Sequence, residues 1–138
     1  MLSPGYDDES VRNGDIFLRR EDMAGKFRDI DRLARRFPLS NTPLYLEFLK
    51  GKRKIPCAAW GNPTVNPAGW RSPCYMLADR HYSTFRELME QTDWDAYGPG
   101  RDERCADCMV HCGFEPSAVL GPGRNIRDVL RLAAWQMS

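Results

Sequence analysis

Histidine is among the scarcest residue types in this chain: His81 and His111 are the only two in 138 residues. Neither stands in a spacing that builds a serine–histidine–carboxylate set, so no acid–base or nucleophilic machinery of that kind is read here. An excess of one charge is missing too. Lys and Arg number 20 against 19 Asp and Glu, which argues against a nucleic-acid partner held mainly through phosphates. No apolar run approaches the roughly 20 residues needed to cross a bilayer. There are no internal repeats and no low-complexity tract. The opening "MLSPGYDDES" lacks a basic start followed by an apolar stretch, so no secretory signal is expected. A cytoplasmic, reducing setting follows as the expectation. There, an odd number of cysteines, five, reads as metal ligands or reactive thiols rather than as disulfides.

What is present is a loop-rich middle. Ten prolines and eleven glycines punctuate the chain, and they are densest between residues 38 and 123. "MLSPGY" carries a Pro-Gly turn signal before the acidic run Asp7-Asp8-Glu9, as a loop leaving something upstream would. Residues 21–36 place Met23, Phe27, Ile30, Leu33 and Ala34 on one face of an expected helix, with the arginines on its solvated side. Residues 40–51 open on Asn41 or Thr42 with Pro43 at the first turn and stop at Gly51, a second helix. Between 55 and 77 a hairpin is expected about the turn "NPAG", 66–69. Residues 83–94 start on a Thr84–Glu87 capping box, with Phe85, Leu88, Met89 and Trp94 apolar. A last helix over 124–137 shows an apolar stripe of Ile126, Val129, Leu130, Ala133 and Met137, with Arg124, Arg127 and Arg131 off it. Packing of that stripe on its own domain is favoured over a membrane surface. The expected class is α+β: a small cysteine-rich unit with a β-hairpin and several short helices. A division is read at residue 37, with 1–37 leading into a cysteine-rich 38–138.

The chemistry concentrates in "CADCMVHC", residues 105–112. Cys105-x2-Cys108-x3-Cys112 is a dense cluster, and Cys57 and Cys74 flank the hairpin with sixteen residues between them. A turn between these two brings their sulfurs toward one point, with Gly69 letting the backbone pass closely. Cys57, Cys74, Cys105 and Cys108 then form a four-thiolate site, with Cys112 able to replace one of them. Soft thiolates suit an iron–sulfur cluster, [4Fe-4S] above all, or tetrahedral zinc. A surplus fifth cysteine is unusual for a closed zinc site, and His111 adjoins Cys112, about 100° away on a helix. Zinc, five unligated buried thiols and a reactive Cys112 beside His111 stay open as alternatives. Trp60, Trp70 and Tyr75 either line an apolar channel or pack the ribbon, and Arg71 and Arg101 read as surface charges.

Four blocks carry a resemblance: "NTPLYLEFL", "WGNPTVNPAGWRSPCYML", "TFRELMEQTDWDAYG" and "CADCMVHCGFEPSAV". Together with "SPGY" and "FLRRE" they resemble the C-terminal region of the hopanoid-biosynthesis radical SAM family HpnH, the adenosylhopane synthases, over residues 3 to 120. The resemblance implies a partial β/α barrel upstream, an iron–sulfur cluster with S-adenosyl-L-methionine, and addition of a 5′-deoxyadenosyl radical to diploptene, a polycyclic lipid alkene. It also implies peripheral contact with the inner membrane. The family's C-x3-C-x2-C loop is not in this chain. Here the order is reversed, C-x2-C-x3-C, so the S-adenosyl-L-methionine-binding cluster is not assigned to these residues. The expectation is a C-terminal part that needs its barrel, or a split-gene counterpart, to act. The Cys57-x11-Gly69-x4-Cys74 pattern is also similar to the auxiliary-cluster extension of radical SAM enzymes.

Overall fold

The computed structural model describes residues 1–6, 17–120 and 125–137. The acidic run at 7–9 and Arg124 lie outside them. Among the described residues six α-helices and a three-stranded antiparallel sheet make an α+β fold. Among the described residues no helix is long and apolar enough to cross a membrane.

The segment expected as one helix over 21–36 is two, α1 (Arg20–Lys26) and α2 (Ile30–Arg36). Between them Ile30 N–H turns to the Phe27 carbonyl, three residues back, at 3.1 Å. The break keeps Met23 and Ile30 both buried while Leu33 is left largely exposed. Helix α3 (Pro43–Leu49) follows its local signals closely. Thr42 Oγ1 accepts from Tyr45 N–H, Pro43 takes the first turn, and Gly51 ends the helix at φ 70°, a conformation glycine adopts without strain.

Strands β1 (Val65–Asn66), β2 (Gly69–Ser72) and β3 (Arg80–Tyr82) form a meander. The turn falls at 66–69 as expected, with Asn66 opposite Gly69 and Val65 opposite Trp70. The hairpin legs are shorter than expected, and neither Cys57 nor Cys74 lies on a strand. Gly69 has φ 124°, and a Cβ there would stand 2.5 Å from the Tyr82 carbonyl oxygen, so β3 crosses where only glycine fits. Helix α4 (Phe85–Gln91) carries the complete Thr84–Glu87 capping box. It buries Leu88 and packs on the sheet, where Trp70 meets Phe85 at 5.2 Å between ring centres.

Helix α5 (His111–Leu120) is not among the helices predicted from the sequence, and it forms although Gly113 and Pro116 lie within it, both poor helix formers. Tertiary packing decides it. Phe114 is fully buried and stacks on Phe48 of α3 with centroids 4.6 Å apart, worth about 0.5–1.5 kcal/mol beyond area burial. Helix α6 (Ile126–Gln136) forms where a helix was expected but turns the opposite way. The apolar stripe meant for the core is outside: Ile126 is 71% exposed, Leu130 61% and Met137 83%. The inward side is polar. Asp128, almost wholly buried, accepts two hydrogen bonds from the Arg53 guanidinium at 2.8 and 2.9 Å, and Arg131 pairs with Glu47 of α3 at 2.7 Å. Ion pairing, with half-buried Leu132 packed on the core, sets this helix's face.

The main core joins α1, α2, α3, α5 and Ile55, and Leu2 and Leu18 pack against it. Described residues of 1–37 therefore share one core with the cysteine-bearing part.

Candidate metal centre

Backbone and side-chain contacts together deliver the cysteines. The bend at 103–108 begins with Asp102, whose Oδ1 accepts from Arg104 N–H at 2.9 Å, and continues with Cys108 N–H donating to the Cys105 carbonyl at 3.1 Å. Arg20 fixes its far side: Nε donates to the Ala106 carbonyl at 3.1 Å and Nη2 to the Cys108 carbonyl at 2.5 Å. The same guanidinium lies over the rings of Phe48 and Phe114, 5.7 and 5.6 Å away. Arg104 links this bend to the segment after Cys74, pairing with Asp79 at 2.7 and 2.9 Å and with Asp102. Cys57 comes from a third direction. Ala58 N–H donates to the Gly113 carbonyl at 2.9 Å, and a Cβ on Gly113 would overlap Cys57 Sγ. Glycine at 113 is thus what lets Cys57 lie against α5.

The result is one small, enclosed cavity lined by Cys57, Cys74, Cys105, Cys108 and Cys112, with Tyr6 and Tyr97 at its edge. All five thiols are free. Burial is the main cause pushing Cys57 and Cys112 up to about 12 and Cys108 to about 11, and repulsion among the thiols adds to it. Burial also raises Cys105. Arg101 pulls Cys57 the other way and Arg20 does so for Cys108. Burial disfavours the Cys112 thiolate, which weighs against the reactive-thiol alternative there. His111 does not join the cavity lining; its Nδ1 is buried and has no hydrogen-bond partner among the described residues.

With this geometry in view, one comparison is decisive. A family model described as a domain of unknown function, DUF3463, matches residues 1–132. The chain belongs to that family. No curated protein and no solved structure matches it.

In this DUF3463 chain five thiols line a cavity with an apolar wall, and the charges acting on them are of both signs: Arg101 on Cys57 and Arg20 on Cys108, but Asp102 on Cys105. Among the described residues no three His, Cys, Asp or Glu side chains gather as ligands of a single ion would. Tetrahedral zinc, with Zn–S of about 2.3 Å, would hold its sulfurs within about 4 Å of one another. These thiols instead ring a space. That space is about 30 Å³, room for a water or two, so an eight-atom cubane needs the cysteine side chains to swing outward. Sequence reasoning grouped all five cysteines through their spacing. It missed Arg20, Arg104 with Asp79, and Gly113, whose roles are contacts between distant segments that no local pattern announces.

Of the aromatic candidates, Trp70 packs on Phe85. Trp60 is 43% exposed and lines an adjoining cleft with Trp94, Asp95, Tyr97 and Leu120. Arg71 sits on β2 with its Nε buried and unpartnered, and Arg101 lines two grooves that adjoin the thiol cavity.

Proposed function

We propose that this chain is the cysteine-rich C-terminal part of a radical SAM enzyme and holds an iron–sulfur cluster, [4Fe-4S], on four of Cys57, Cys74, Cys105, Cys108 and Cys112. The observation that carries the reading is that five cysteines from three separate segments line one apolar cavity. Such a cluster supplies one-electron transfer and cross-links the segments that carry the cysteines. The chain's own residues do the rest. Arg20 and Arg104 hold the 103–108 bend, Gly113 admits Cys57, and the apolar wall excludes water. Because burial keeps the Cys57, Cys105, Cys108 and Cys112 thiols protonated, loading releases protons and is favoured as pH rises.

The resemblance of the aromatic and cysteine blocks to the adenosylhopane synthases supplies the larger reading. The chain works with a barrel that binds S-adenosyl-L-methionine, on a polycyclic lipid, in the cytoplasm at the inner-membrane surface. It is not active by itself. Metal analysis of protein purified and reconstituted without oxygen tests the cluster. About four irons per chain and a brown colour are expected; one zinc per chain in colourless protein would establish the structural zinc module instead.

A further inference from the structure

Two open grooves meet the thiol cavity at Cys57. The first, about 660 Å³, is lined by Arg20, Arg53, Lys54 and Arg101 together with Phe48 and Ile55, and no carboxylate lines it. That volume is the size of a small-molecule site. The second, about 250 Å³, is the cleft of Trp60, Trp94, Tyr97 and Leu120, and it shares Cys57 and Arg101 with the first.

The four cations are not equivalent. Arg53 is neutralised by Asp128 and Glu47, at 2.8 and 3.1 Å. The Arg20 side chain spends its hydrogen bonds on the carbonyls of Ala106 and Cys108. Lys54 is exposed and has no ion-pair partner among the described residues. Arg101 has a single loose partner, Asp95 at 3.4 Å, which is itself fully exposed. Two cations thus stand beside an aromatic cleft whose one lining carboxylate is Asp95, the loose and exposed partner of Arg101. Lysine gives a point charge and arginine a planar fork suited to phosphate or carboxylate.

We propose that these grooves bind an organic anion whose phosphate or carboxylate is held by Lys54 and Arg101 and whose aromatic or polycyclic body lies against Trp60 and Trp94. This places the ligand against Cys57, and its relation to a metal centre rests on the function proposed above; the binding itself does not.

Calorimetric titration of the anaerobically reconstituted chain with 2-naphthyl phosphate tests it, with 2-naphthol and inorganic phosphate as the separate halves. The phosphate ester is expected to bind at least about tenfold tighter than either half. Lys54→Gln and Arg101→Gln, both exposed and tolerable to the fold, should each weaken the ester about tenfold and leave naphthol unchanged. An ester that binds no better than inorganic phosphate, or equally well to both variants, overturns the inference. Iron is counted on the same samples. Protein with iron but no ester binding sinks the inference alone, and ester binding to protein that takes no metal supports it while sinking the cluster.

Discussion

Gly113 shows how much one missing methyl group decides. A Cβ at 113 would occupy the place of Cys57 Sγ, and the residue is buried in α5. Gly113→Ala forces the helix and the 57–58 segment apart, an overpacking cost of about 1–3 kcal/mol. Helix propensity alone would favour alanine by about 1 kcal/mol, so the sign of the change is informative. Denaturant unfolding should show the variant less stable, and its iron content should fall because Cys57 is displaced. A variant as stable as the parent with full iron would mean Cys57 is not held there. The cysteines announced themselves by chemistry and spacing. Gly113 did not, because in sequence it is only a glycine after a cysteine.

At the scale of elements, legibility followed how local the cause was. Helices α3 and α4 were readable because their caps lie within four residues: Thr42 with Tyr45, Thr84 with Glu87. Helix α5 was not, since Phe114 must meet Phe48 from a distant segment to outweigh Gly113 and Pro116. Helix α6 was readable as a helix and misread as to face, because a moment argument ranks apolar residues inward and cannot see Arg53 waiting for Asp128. Asp128 carries a prediction. Arg53 holds its carboxyl below the ordinary value, so the stabilisation is complete above about pH 4 and is lost as pH falls through the lowered folded value. Asp128→Asn should cost about 1–3 kcal/mol at pH 7, and the gap from the parent should close progressively below pH 4. A gap that stays constant from pH 7 to pH 3 would show that the charge does not matter.

For the whole molecule, the organising fact is that segments far apart in sequence are tied together around the thiols. Tyr6 donates to the Arg104 carbonyl at 3.3 Å, Ser3 Oγ accepts from His111 N–H at 3.2 Å, and Tyr45 Oη donates to the Met109 carbonyl at 2.8 Å. Chain start, α3 and the cysteine bend thus close on each other. Little of that closure was legible, since each bond joins residues more than sixty apart in sequence. The central claim is that cysteines from 57 and 74 and from 105–112 share one metal centre. Alkylation of the metal-loaded, folded chain with iodoacetamide, read cysteine by cysteine by mass spectrometry before and after chelation, tests it most directly. Four thiols, including Cys57 or Cys74 as well as members of the 105–112 group, should be protected until chelation and then react together. Protection unchanged by chelation, or release confined to the 105–112 group, would contradict it.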